Sequence, residues 1–169
     1  MPPSGSASSL KQGRAPHRAA LAVMALAALQ SGSDALAACQ PPEDEQTSSK
    51  IEVRVDAVRS ASGSVVAVLY GDNPDDFLKK GKHLAKMFEP AQEGLVSVCL
   101  TAPNPGTYAV AVYHDENGNE KFDKTWIGLP DEGYGISNNP TILLSAPAFD
   151  EAKFEALEGS TVIDINVSY

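Results

Sequence analysis

The chain has 169 residues, 43% of them hydrophobic, with a formal net charge of −9. That length allows one folded domain with its own core behind an export leader. The acidity repels phosphate backbones and anionic lipid, and no basic stripe offsets it, so nucleic-acid binding is not expected.

Lys11, Arg14, His17 and Arg18 precede a charge-free apolar run over residues 19–29, a polar break over 30–34, and then Ala35-Leu36-Ala37-Ala38. A basic stretch, an apolar stretch and an Ala-x-Ala site predict a secretory signal peptide over residues 1–38, hence export to the periplasm or beyond. The apolar run is too short for a transmembrane helix, which needs roughly 20 residues. Residues 1–38 hold three bases and one acid; without them the chain keeps ten bases, twenty-one acids and a net charge of −11.

Cys39 follows this segment, and Cys99 is the only other cysteine. Leu36-Ala37-Ala38-Cys39 matches a lipoprotein cleavage pattern, which would make Cys39 a lipid anchor at the outer membrane. An even cysteine count in an oxidising compartment instead favours a Cys39–Cys99 disulfide. Two free thiols are the third outcome.

Residues 39–50, Pro-led and acidic, read as a disordered linker, and residues 51–169 as the folded domain. Positions 51–57 alternate apolar and polar, the period of a half-buried strand. Residues 64–70, SVVAVLY, are expected to pair back on them as a hairpin. Asn73 as N-cap and Pro74 at the first helical position predict a short helix over 74–80. Further strands are expected at 95–101, 108–114, 141–144 and 161–169, the last with Ile163, Ile165, Val167 and Tyr169 inward, and a helical turn within 151–157. Short strands at this spacing define an all-β class, an antiparallel β-sandwich with one or two short helices.

The loop after the strand YAVAVY reads HDENGNEKFD. Asp115, Asn117, Asn119 and Asp123 occupy alternating or near-alternating positions, as oxygen donors do around Ca²⁺, with the Lys121 carbonyl as a further ligand. Glu120 stands where such loops place glycine, and Trp126 where they place a bidentate glutamate. Two loop carboxylates predict weak binding, on the order of 10⁻⁴–10⁻³ M, with Asp131 or Glu132 as ligands that would fold back. The alternative is an Asx-rich turn closed by its own hydrogen bonds. The next segment, 124–140, is rich in Gly and aromatics and reads as an ordered cap.

His114 is in phase with Tyr108, Val110 and Val112 and is expected to be a satisfied core group. No nucleophile has a visible base, and Gly-rich phosphate loops and a GxSxG elbow are absent. Acid pairs such as Asp131-Glu132 read as solvated surface, so no enzyme activity is expected.

The string PGTYAVAVYHDENGNEKFD…GLPDEGYGISNNP resembles the signature of an exported bacterial family, domain of unknown function family number 2141. Residues 63–70, Phe77, 105–123, 128–138, Phe149 and 152–154 follow its pattern in order. The resemblance implies an immunoglobulin-like or transthyretin-like sandwich of the envelope, and no known activity. The expected function is accordingly a non-enzymatic binding or envelope-structural module, in which Ca²⁺ locks the 115–123 loop and holds residues 126–138 as a recognition surface. The alternative is a small enzyme or carbohydrate-binding module using a cleft formed by loops 115–139, with Trp126, Tyr134, Asn138 and Asn139 as glycan contacts.

Overall fold

The computed structural model describes Cys39, residues 48–142 and residues 145–169. The expected signal peptide at 1–38 and most of the expected linker, residues 40–47, lie outside the described residues. Among the described residues there are eight strands and one short α-helix: β1 (Ser49–Val58), β2 (Ser64–Tyr70), β3 (Ala85–Pro90), β4 (Gly94–Ala102), β5 (Gly106–Asp115), β6 (Gly133–Ile136), α1 (Phe149–Ala152), β7 (Phe154–Ala156) and β8 (Gly159–Asn166). They form an all-β sandwich of two sheets. One has the order β4-β1-β8 and the other β3-β2-β5-β6, with β7 also pairing with β5, at Gly106–Tyr108.

The expected hairpin between the first two strands does not form. β1 pairs with β4 and β8, whereas β2 pairs with β3 and β5. The reason lies in the side chains. Ile51, Val53 and Val55 of β1 and Val65, Ala67 and Leu69 of β2 belong to one buried cluster, so the strands face each other across the sandwich instead of lying side by side. The opposite face of β2 is buried as well: Val66, Val68 and Tyr70 join Ala109 and Tyr113 of β5, Ile136, Phe77 and Phe149 in a second cluster. Burial on both faces accounts for the non-alternating runs SVVAVLY and YAVAVY.

All pairings are antiparallel except one: β8 runs parallel to β1, from Ser49 opposite Gly159 to Asp56 opposite Asn166. Ile165 and Val167 are buried in the core with Ile163 packed against it, as the alternation of that segment required, but Tyr169, expected inward, lies beyond the end of β8 and is 49% exposed.

The expected helix at 74–80 shrinks to one 3₁₀ turn, Pro74–Asp76. Asn73 caps it as anticipated, accepting from the Asp75 N–H at 3.1 Å. The turn stops because Phe77 is extended and buries its ring between Tyr70 and Phe149, with centroids 5.5 and 5.8 Å away, and Leu78 follows at φ +58°. Thr141 and Ile142 are not in a strand, and residues 143–144 of that expected element lie outside the described residues. The helical turn expected within 151–157 falls earlier, as α1, and is followed by β7.

Cys39 and Cys99 are joined by a disulfide, with Cα atoms 5.5 Å apart. A sulfur committed to this bond is not available for a lipid thioether. Among the described residues no helix is long and apolar enough to cross a membrane.

Candidate functional site

β5 delivers the polar loop from its C-terminal end. His114, the penultimate residue, is fully buried. Its Nδ1 lies 2.7 Å from the Tyr169 hydroxyl and its Nε2 2.8 Å from the Ser62 carbonyl. The carbonyl needs a donor, so Nε2 carries the proton and Nδ1 accepts from the phenol. Both nitrogens are spent on structure, as the apolar phase of this histidine predicts.

The loop then closes on itself. Asp115, also buried, accepts the backbone N–H of Asn119 at 3.1 Å and of Glu120 at 2.7 Å. The Asn117 side-chain oxygen accepts from Asn119 N–H at 3.0 Å, and that of Asn119 from Lys121 N–H at 2.8 Å. The side-chain amides of Asn117 and Asn119 both donate to Asp123 Oδ2, at 2.8 and 2.6 Å. The side chains of Asp115, Asn117, Asn119 and Asp123 are thus brought together in the self-bonded arrangement of Asx turns, and Lys121 joins them through its N–H. Among the described residues, no three His, Cys, Asp or Glu stand ready-made as a metal cage.

Two backbone positions make this turn possible. Gly63 has φ +68° and packs against the Asp115 backbone, where a Cβ would collide with the carbonyl oxygen. Glu120 sits at φ +62°, a conformation that disfavours a side chain. Its carbonyl is held by the Lys86 ammonium at 2.9 Å and by the Tyr113 hydroxyl at 3.2 Å.

The sequence placed Glu132 on the surface with Asp131. The structure corrects this: Glu132 is 6% exposed. Its Oε2 accepts the Asp123 N–H at 3.1 Å, and its Oε1 is buried with no hydrogen-bond partner. Burial raises its carboxyl above the usual range; the Asp123 N–H opposes this, and the charges of Asp115 and Asp123 add to the rise. Glu116, by contrast, is held below the usual range, chiefly by its hydrogen bonds with the Arg59 guanidinium.

Residues 124–130 form a tight hairpin. Thr125 N–H donates to the Leu129 carbonyl at 2.8 Å, and Gly128 N–H to the Thr125 carbonyl at 2.9 Å. Its tip presents Trp126, 96% exposed, with Ile127 and Leu129 also exposed. The cap expected after it is largely sheet and ties. β6 pairs with β5, and Gly135 leaves no room for a Cβ against Ile165 and the Asn166 carbonyl. Asn138 donates to the Lys153 carbonyl at 2.7 Å, and Asn139 bonds Asp164 and Asn166 of β8 at 3.0 and 2.8 Å. Both asparagines tie β6 to its neighbours through their amides while remaining exposed.

Between this hairpin and the outer face of the β2-β5-β6 sheet lies an open cleft of about 820 Å³. Tyr70, Phe77, Tyr113, Phe122, Tyr134 and Phe149 line it, with Lys79 and Lys124 at its edge. Phe122, inside the polar loop, packs between Tyr113 and Tyr134 with ring centroids 5.6 and 6.0 Å away. Loop and cleft therefore share a wall. The cleft floor is not legible from local patterns, because its residues come largely from strands that read as ordinary core.

An all-β sandwich with a self-tied polar loop and a Gly-rich sixth strand is the class these features define. The chain belongs to the family described as uncharacterised proteins conserved in bacteria (DUF2141), which matches residues 53–164. No curated protein and no solved structure matches the chain.

Proposed function

We propose that the protein is an exported, non-enzymatic binding module of the bacterial envelope, periplasmic or secreted, whose ligand site is the cleft beneath the 124–130 hairpin. The aromatic cleft carries this reading. Its volume of about 820 Å³ falls within the range of small-molecule sites, roughly 300–1,000 Å³, and such sites are mostly apolar with a few polar groups. Lys79 and Lys124 outnumber Asp75 along its edge, in a chain of net charge −9. That local excess favours a ligand with an apolar body and an anionic head, such as a long-chain carboxylate. His114, buried with both ring nitrogens hydrogen-bonded to Tyr169 and Ser62, fits a structural role in this reading. One Ca²⁺ held by Asp115, Asn117, Asn119, the Lys121 carbonyl and Asp123 belongs to the same reading, because Phe122 of that loop forms part of the cleft wall.

Titration of a fluorescent long-chain carboxylate tests the proposal. Saturable one-site binding is expected, weakened at least about tenfold (about 1.4 kcal/mol) by Leu78→Glu, which sets a second carboxylate on the half-buried cleft wall. Trp126→Ala is expected to leave it unchanged. No saturable binding, or equal binding to Leu78→Glu, overturns it. A carbohydrate-binding reading has one observation in its favour, the exposed ring of Trp126, which offers a stacking face. Saccharide binding abolished by Trp126→Ala would support that reading instead.

A further inference from the structure

Glu132 holds an unfinished carboxylate. Oε1 is buried without a partner, while Oε2 is anchored to the Asp123 N–H. A buried charged oxygen with nothing to bind is costly. Here the cost is compounded, because the charges nearest it, Asp115 and Asp123, are of the same sign. Among the described residues no base relieves them: Arg59 pairs with Glu116, and Lys86 binds the Glu120 carbonyl, while Asp115, Asp123 and Glu132 form no ion pair. Three carboxylates with no counter-charge and one open lone pair are what a hard cation satisfies. The surrounding donors are all oxygen: the side chains of Asn117 and Asn119 and the backbone of the loop. With no sulfur and no free imidazole, the set suits calcium over zinc or copper.

We infer that Glu132 joins Asp115, Asn117, Asn119 and Asp123 in a binding site for one calcium-type divalent cation that fastens the polar loop to the foot of β6. The inference rests on the calcium element of the reading above; its independent support is the orphaned oxygen of Glu132, which lies outside the loop. β6 begins at Gly133, directly after Glu132, and the hairpin 124–130 spans the interval between Asp123 and Glu132. An ion held by both residues closes the base of that hairpin. The amides of Asn117 and Asn119, which now donate to Asp123 Oδ2, turn their oxygens toward the ion as the site contracts. That rearrangement keeps the affinity low, on the order of 10⁻⁴–10⁻³ M as in extracellular modules.

The experiment is equilibrium dialysis with Ca²⁺ on the full chain, with thermal melting across the same Ca²⁺ series. Wild type is expected to take up one equivalent and to melt higher as Ca²⁺ rises. Glu132→Gln, an isosteric change, is expected to bind at least about tenfold more weakly (about 1.4 kcal/mol). In chelator it is expected to melt at or above wild type, because a buried negative charge has been removed. Asp123→Asn is expected to weaken uptake without abolishing the fold. Ca²⁺ uptake by Glu132→Gln equal to wild type removes Glu132 from the site. No uptake and no melting shift in wild type removes the site altogether. Neither result bears on carboxylate binding in the cleft, which is read by its own titration without Ca²⁺.

Discussion

The Tyr169 hydroxyl lies 2.7 Å from Nδ1 of the buried His114, fastening the last residue of the chain to the strand that feeds the polar loop. The same hydroxyl accepts the Arg59 N–H at 3.0 Å, and the Arg59 guanidinium sits 4.2 Å from the centre of the Tyr169 ring. The ring rests on Gly133, where a Cβ would occupy its place.

Tyr169→Phe is therefore expected to cost about 1–2 kcal/mol, since it leaves a buried imidazole nitrogen without its donor. Gly133→Ala is expected to cost at least as much, by expelling the ring and breaking both hydrogen bonds together. Urea unfolding of the two variants and the double mutant measures this. Because both act on one contact, their costs are expected to fall well short of additive.

The disulfide closes a sequence separation of 60 residues. Chain-entropy arithmetic for a loop of that length gives about 4 kcal/mol of stabilisation. Cys99→Ser, or reduction of the native protein, is expected to lower stability by about 2–4 kcal/mol in denaturant unfolding. The oxidised protein should show no titratable thiol.

Burial pushes the phenols of Tyr70, Tyr113 and Tyr169 above their ordinary value of 10.0. An acid whose folded pKa exceeds its unfolded value favours folding while both forms are protonated. That contribution is lost as the pH rises past the unfolded value. Stability is thus expected to decline above about pH 10. Phenolate absorbance should show these three tyrosines ionising only above about pH 10, or only on unfolding.

Glu120 occupies a left-handed backbone position without being glycine. Glu120→Gly removes that strain but adds freedom to the unfolded chain, so it is expected to be neutral or to stabilise by up to about 1 kcal/mol. A loss above about 1 kcal/mol in thermal unfolding would show that the Glu120 side chain contributes more than its backbone costs.

Much of this arrangement was legible beforehand, and the misses have physical causes. Residues 161–167 alternate because Ile163, Ile165 and Val167 share the inward face, and that period survived into β8; Tyr169 falls beyond the strand and is half exposed. β1 and β2 are neighbours in sequence but belong to different sheets. The warning was in β2 itself: consecutive apolar residues such as Val65 and Val66 demand cover on both faces, which a two-stranded hairpin does not supply. β3 went unnoticed because an edge strand carrying Lys86, Glu89 and Pro90 has little buried pattern to read. β6 was hidden for another reason: Gly133 and Gly135 are demanded by Tyr169 and Ile165, contacts that span some thirty residues. The polar loop was read from the spacing of its donors, whereas Glu132 looked like one of several solvated acids. Its burial is fixed by packing, which no local pattern encodes.

The parallel pairing of β1 with β8 sends the chain in at one pole of the sandwich and out at the other. Ser49 opens β1 beside Gly159, while Asn166 closes β8 beside Asp56, one strand length away. At about 3.3 Å per residue that is roughly 25 Å. A fusion partner joined ahead of Ser49 would start from the pole opposite the polar loop. One appended after Tyr169 would emerge next to it and crowd the hydroxyl latch.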